Sequence, residues 1–127
     1  MNTNAVLEVD PSFAEGWSFI GHLYLIKRDL IRAEFYINKS LSIIDNYSAH
    51  ITMGHLRYLK GDEDFLRSYI TAYLLDEDHF EYFDAVRREL IQLLDSKEAK
   101  QVFDMIKKAI NADAYKSQRL TTRKTTK

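Results

Sequence analysis

An internal repeat that relates the segment from Gly21 to the segment from Gly54 is the feature of this chain that most restricts its fold. When the sequence is shifted so that Gly21 falls on Gly54, nine positions between Gly21 and Asp45 meet an identical residue. The tripeptide that begins at Gly21, for example, recurs at Gly54. A period of about 33 residues is typical of repeats built from a pair of helices. Few prolines and glycines leave few forced turns, so the repeat predicts an all-α fold.

Apolar residues within the first repeat follow the spacing of two successive helices. Trp17, Ile20 and Tyr24 lie three and four residues apart, which places them on one face of a helix. Ala33 and Ile37 start a second face with the same kind of spacing. The predicted helices are 14–27, 30–43, 48–60 and 63–75, with tight turns at 27–29 and 61–62.

A set of residues in the first repeat matches a known pattern. The matching residues are Asp10-Pro11, Ala14, Trp17, Ile20-Gly21, Tyr24, Ala33, Ile37 and Leu41. In this pattern the chain resembles the tetratricopeptide repeat (TPR) family. The resemblance implies a right-handed stack of antiparallel helix pairs, a TPR-like α-solenoid of about three repeats. It also implies that the small residues Gly21 and Ala33 let two helices approach each other closely.

The helical stack is predicted to form one domain at residues 1–114. Its parts are a remnant of a preceding repeat helix at 1–11, a first repeat at 12–45, a second repeat at 46–78 and a degenerate capping pair at 79–114. The capping pair is indicated only by its apolar pattern, as is common for end repeats. Residues 115–127 carry five basic side chains and no acidic one, and they are predicted to form a disordered tail.

The resemblance also implies a binding groove, because the first helix of each TPR pair lines the concave side of the stack. We call the residues expected there the predicted groove: Glu15, Ser18, His22, Leu25, Ile26, Ile51, His55, Tyr58, Leu59, Arg87 and Ile91. Some TPR adaptors hold a terminal carboxylate with lysine and asparagine at places that Ser18 and His22 occupy here. A hydrophobic peptide segment or an amphipathic helix therefore fits this groove better than an acidic tail. The other interpretation is that the protein's own tail, or tighter curvature, fills the trough.

These features predict a protein–protein interaction module, adaptor or chaperone-like, rather than an enzyme. One alternative is a self-assembling or subunit-docking element, in which copies join through the N-terminal edge or through Phe80, Tyr82 and Phe83. Another is the C-terminal piece of a longer TPR array in a larger protein. The basic tail gives thin support for binding nucleic acid, so that partner is not predicted.

No catalytic residue, cofactor or metal site is predicted. Cysteine is absent, which excludes disulfides and thiolate metal sites. His22 and His55 occupy equivalent places in the two repeats, with Glu15 as the nearest third ligand, but a polar patch in the groove is favoured over a metal site. The sequence contains neither an apolar run long enough for a membrane span nor a signal peptide, so a cytoplasmic location is assigned by default.

Overall fold

The computed structural model describes residues 12–76 and 81–125, with side chains as far as residue 113. The described residues form six helices and no strand: α1 Ala14–Ile26, α2 Leu30–Ile43, α3 Tyr47–Leu59, α4 Phe65–Leu75, α5 Tyr82–Leu93 and α6 Ser96–Thr125. The predicted all-α class is confirmed, and the four helices predicted from the repeat end within two residues of the observed limits. The remnant helix predicted at 1–11 lies outside the described residues.

The two repeats share the same turn between their helices. Arg28 follows α1 with a φ of 62°, and Gly61, the equivalent residue of the second repeat, follows α3 with a φ of 76°. In both turns the amide of the next residue, an aspartate, donates to the carbonyl five residues before it at 2.9 Å. The sequence repeat therefore corresponds to a structural repeat in the backbone.

Arg28 holds a left-handed conformation that costs a residue with a side chain about 1 kcal/mol. Its guanidinium donates to the carbonyl of Leu25 at 3.1 Å and also to the carbonyl of Leu93. These hydrogen bonds satisfy carbonyls at the ends of α1 and α5, which lack partners within their own helices. The side chain thus offsets the strain of the turn and ties α1 to α5.

Small residues set the distance between the paired helices. A Cβ atom added at Gly21 would lie 3.2 Å from the carbonyl oxygen of Ala33 and 2.9 Å from Cγ1 of Ile37. This contact confirms the predicted close approach of α1 and α2. Next to it, the ring of Tyr36 stacks on Trp17 at 5.8 Å and on Tyr24 at 5.5 Å, which closes the outer side of the pair.

Helix α5 contributes to both hydrophobic clusters of the core. Leu93 packs with Leu25 and Leu56 in the cluster around α1, α2 and α3. Val86 and Leu90 belong to a larger cluster with residues of α3, α4 and α6. Because one helix contributes to both clusters, α5 connects the first repeat to the second repeat and to α6.

The second repeat departs from the expected register on α4. Leu74, which is equivalent to Leu41 of the first repeat, is 66% exposed. The buried face of α4 instead carries Phe65, Tyr69 and Ala72. The large Tyr69 ring occupies the space beside Gly54, so α4 presents a face displaced by one residue from that of α2.

Helix α6 begins at Ser96 and is the longest helix of the described residues. Asp95 is its capping residue, because the carboxylate accepts from the amide of Glu98 at 2.8 Å. The backbone stays helical to Thr125, where the sequence predicted a disordered tail from residue 115. No glycine or proline interrupts residues 96–125, so nothing in the sequence breaks the helix. Over the described ranges, no helix is both long and apolar enough to cross a bilayer.

Candidate functional site: a buried polar cluster and an apolar cleft

The predicted groove does not form a single open surface. Glu15, Ile26, Arg87 and Ile91 are exposed, and Tyr58 and Leu59 are half-buried. The other five residues are buried: Ser18, His22, Leu25, Ile51 and His55. Of these five side chains, Ser18 and His22 line a pocket between α1, α3 and α5, whereas Leu25 and Ile51 belong to the hydrophobic core.

Packing of α2, α3 and α5 against α1 accounts for much of this burial. Leu25 shares a hydrophobic cluster with Ile37, Leu56 and Leu93, and polar residues of α5 bond to the histidines of α1 and α3. The third pair of helices thus contacts this part of the predicted groove through polar as well as apolar residues.

His22 and His55 are the buried centre of a polar cluster, which also includes the buried Tyr69, the half-buried Glu89 and the exposed Gln92. The two histidine rings lie 5.9 Å apart. His22 donates from Nε2 to Oε1 of Gln92 at 2.6 Å. Its Nδ1 atom is buried and has no hydrogen-bond partner among the described residues. A buried nitrogen without a partner is uncommon, because burial removes the water that would otherwise bind it.

His55 bridges two neighbouring helices. Its Nε2 donates to Oε1 of Glu89 on α5 at 2.8 Å, and its Nδ1 lies 2.6 Å from the hydroxyl of Tyr69 on α4. A neutral imidazole has one N–H donor and one acceptor nitrogen. Because Nε2 carries the proton that is donated to Glu89, Nδ1 is the acceptor and the Tyr69 hydroxyl donates to it. Both ring nitrogens are therefore satisfied, in contrast to those of His22.

Burial controls the charge states within the polar cluster. Loss of solvent lowers the pKa of His22 below its ordinary value of 6.5, so the imidazole is neutral at pH 7. Burial alone would raise the pKa of Glu89, but the hydrogen bond from His55 and the electrostatic attraction between the two groups bring it below 4.5. The cluster thus holds a neutral imidazole at His22 beside an ionised carboxylate.

A pocket of about 240 Å³ opens beside this cluster. Its walls include His22 from α1, Thr52 from α3, and Arg88, Glu89 and Gln92 from α5. The polar cluster is therefore adjacent to a space that can hold water or a small ligand.

Sequence reasoning missed Glu89 and Gln92, although the repeat contained a signal for the first. His55 lies one repeat length after His22, and Glu89 follows His55 by one residue more than that length. Continuing the register with one added residue would have placed Glu89 at the position equivalent to both histidines. The predicted third ligand, Glu15, is exposed and is not part of the group of three that approach one another.

Tyr58 lies at the other edge of the predicted groove and links α3 to α6. Its hydroxyl donates to Oε2 of Glu98. This hydrogen bond, with burial and the carboxylate charge, raises the pKa of Tyr58 to about 12. Burial also raises the pKa of Tyr69 well above 10. The folded protein therefore holds these tyrosines in their neutral form more strongly than the unfolded chain does.

We expect the protein to lose stability as the pH rises from 10 to 12. The unfolded chain releases the Tyr58 proton near pH 10, whereas the folded protein keeps it until about 12. The stabilisation is complete below pH 10 and falls as pH rises towards the folded value. Thermal unfolding followed by circular dichroism should show a shallower loss over this range for Tyr58→Phe than for the wild type. Tyr24→Phe, which leaves the Tyr58–Glu98 bond intact, should follow the wild type; equal slopes in all three proteins would contradict the assignment.

A second concave surface lies between α5 and α6, and we call it the α5–α6 cleft. It measures about 350 Å³ and is lined by Arg87, Ile91, Ser96, Ala99, Lys100, Phe103 and Asp104. Ile91 is 57% exposed within it, so its apolar side chain is available for contact with a partner. Arg87 and Ile91, two of the exposed members of the predicted groove, thus lie together in this cleft.

The aromatic region suggested for subunit docking is buried where the structure describes it. Tyr82 is 1% exposed, and its hydroxyl donates to the backbone carbonyl of Tyr69 at 2.6 Å. Phe83 is partly buried against Tyr73 and Phe103. Phe80 lies outside the described residues. Tyr82 therefore packs in the core of the chain rather than on its surface.

Comparison with known proteins gives no assignment. No family model, no curated protein and no solved structure matches this chain significantly.

Proposed function

We propose that this protein is a protein-interaction module that binds an amphipathic helix of a partner protein in the α5–α6 cleft. The observation that carries the proposal is the exposure of Ile91, at 57%, in a concave surface with Ala99 and Phe103. Exposed apolar surface of this kind is typical of binding sites, since its burial by a partner is favourable.

The chemistry of the cleft supports a helical partner. Arg87 and Ile91 lie four residues apart on α5, and Ala99 and Phe103 lie four apart on α6, so each helix offers one face. A groove between two helices is suited to the apolar face of a third helix, which would insert side chains at intervals of three or four residues. Lys100 and Arg87 favour an acidic residue beside that face.

The resemblance to TPR proteins supports the same proposal. It implies binding on the first helix of each pair, and α5 is the first helix of the third pair. Of the predicted groove, the proposed site includes Arg87 and Ile91 and excludes the buried residues of α1 and α3. The proposal therefore moves the site to the end of the helical stack.

The test is selection of binders from a displayed library of amphipathic helical peptides against the wild-type protein. The affinity of each selected peptide is then measured by fluorescence anisotropy for the wild type and for Ile91→Asp. We expect Ile91→Asp to weaken binding about 30-fold, because a central apolar anchor contributes about 2 kcal/mol. Ile91 is exposed, so both proteins should show the same helical circular dichroism.

Met105→Asp is the matched control, since Met105 is an exposed apolar residue of α6 that does not line the cleft. We expect its affinity for the peptides to stay within twofold of the wild type. Peptides that bind Ile91→Asp as tightly as the wild type, or a library that yields no binder, would contradict the proposal.

Self-association is the second candidate function, and the outer face of α2 favours it. Ile31 is 86% exposed and Phe35 is 62% exposed, and the two lie one helical turn apart. Sedimentation velocity over a range of concentrations distinguishes the two functions. A stable oligomer that Phe35→Ser dissociates supports assembly, and a monomer that binds peptides supports the module.

A further inference from the structure

Three residues with metal-binding side chains meet inside the protein. His22, His55 and Glu89 come from α1, α3 and α5, and each offers one ligand atom within 4.8 Å of the other two. A zinc ion bound at about 2.0–2.1 Å from its ligands needs those ligands about 3.3 Å apart. The most widely separated pair of ligand atoms would therefore have to approach by up to about 1.5 Å, while His55 Nε2 and Glu89 Oε1, which are 2.8 Å apart, would separate by about 0.5 Å.

The state of His22 suits a ligand. Its Nε2–H donates to the Gln92 oxygen, so the lone pair of the neutral ring is on Nδ1. That Nδ1 is the buried atom without a hydrogen-bond partner among the described residues. A histidine ligand usually donates its other ring N–H to a nearby oxygen, and Gln92 already has that role.

His55 has similar support. Its Nε2 faces Glu89 and its Nδ1 faces the Tyr69 hydroxyl. On metal binding, the proton moves to Nδ1, which then donates to the Tyr69 oxygen and frees Nε2 as a ligand. Glu89 contributes a carboxylate oxygen, so the charge of the metal is partly balanced within the site.

We propose that His22, His55 and Glu89 bind one zinc ion, with its fourth position open to the adjacent pocket of about 240 Å³. Two imidazoles and one carboxylate form a ligand set that zinc accepts in four-coordinate sites with one position free. Magnesium and calcium are disfavoured, because they bind oxygen ligands almost exclusively.

Zinc at this position would connect the first helices of all three pairs. Glu89 lies on the inner side of α5, while the proposed partner cleft uses Arg87 and Ile91. The two sites share no residue, so each proposal can fail without the other. The effect expected of zinc is stabilisation of the folded protein, because the ion binds a site that exists only after folding.

The experiment is titration of the chelator-treated protein with zinc alone, followed by calorimetry and by thermal unfolding. We expect one zinc ion per chain and a rise in the unfolding temperature of about 10 °C at a free zinc concentration about 100 times the dissociation constant. Cobalt, as a spectroscopic probe in a separate titration, should give the visible absorption of a four-coordinate ion.

Glu89→Gln is the sharpest variant, because it keeps an oxygen facing His55 and removes the carboxylate ligand. We expect it, like His22→Gln, to weaken zinc binding at least about 100-fold. The matched control is His50→Gln, which removes another histidine of α3, one that bonds to Asp45 at 2.6 Å outside the cluster. Its zinc affinity should stay within twofold of the wild type. The absence of stoichiometric binding, or equal binding by Glu89→Gln with unchanged helicity, would overturn the proposal.

Discussion

Leu25→Asp is expected to unfold the protein at room temperature. Leu25 is 0% exposed and packs with Leu56 and Leu93 in the core. Its replacement removes about 2–3 kcal/mol of apolar burial. It also places a carboxylate without a partner in the core, which costs several kcal/mol more. Since a domain of this size is stable by only about 5–15 kcal/mol, the sum of the two losses is comparable to the whole stability.

The neighbouring residue provides the control for this prediction. Ile26 belongs to the same predicted groove but is 43% exposed. Ile26→Asp should therefore change the free energy of unfolding by less than about 1 kcal/mol. Circular dichroism and urea denaturation of both variants measure the difference. If Leu25→Asp keeps wild-type helicity and a wild-type urea midpoint, Leu25 faces solvent and the groove predicted from the sequence is restored.

The helices could be predicted because their signals are local. The turn at Arg28 and its counterpart at Gly61 occupy equivalent places in the two repeats and have the same hydrogen bonds, so identities in the sequence located both turns. Spacing of apolar residues then located the helices between them. Helix limits depend on neighbours a few residues away, and such information is present in the sequence of each repeat.

The binding surface could not be predicted in the same way, because it depends on how the pairs pack on one another. Leu25 is buried in a cluster that includes Leu56 of the second repeat and Leu93, which lies two repeats further along the chain. A small change of curvature from pair to pair decides whether a first helix lines an open groove or a core. That angle is set by contacts such as those of Arg28 with Leu93 and His22 with Gln92.

The polar cluster could be predicted only in part, less fully than the helices and more fully than the binding surface. The equivalence of His22 and His55 was visible in the repeat, and the structure places their rings 5.9 Å apart. To predict the third member, Glu89, one would have had to align the degenerate third unit with the first two and allow for one added residue. The sequence thus located two of the three side chains, and only tertiary packing identified the third.

Gly54→Ala is expected to destabilise the protein by about 1–2 kcal/mol, although alanine is the better helix former. A Cβ atom at this position would lie 2.8 Å from Cε2 and Cζ of the Tyr69 ring. The ring cannot move aside easily, because it is fully buried and its hydroxyl is bonded to His55. The cost of overpacking therefore exceeds the gain of up to about 1 kcal/mol from replacing a helical glycine.

Two further variants test whether the clash with the Tyr69 ring causes this loss of stability. The free energy of unfolding of each variant is measured by urea denaturation. Gly61→Ala has open space around its Cβ, so it should cost only about 1 kcal/mol, from its φ of 76°. In a Tyr69→Leu background, Gly54→Ala should cost at least about 1 kcal/mol less than it does in the wild type, because the ring that blocks the methyl group is gone. An equal cost in both backgrounds would contradict the steric explanation. A reduced cost would establish that the packing of α3 on α4 is limited by this one contact between a small residue and a large ring.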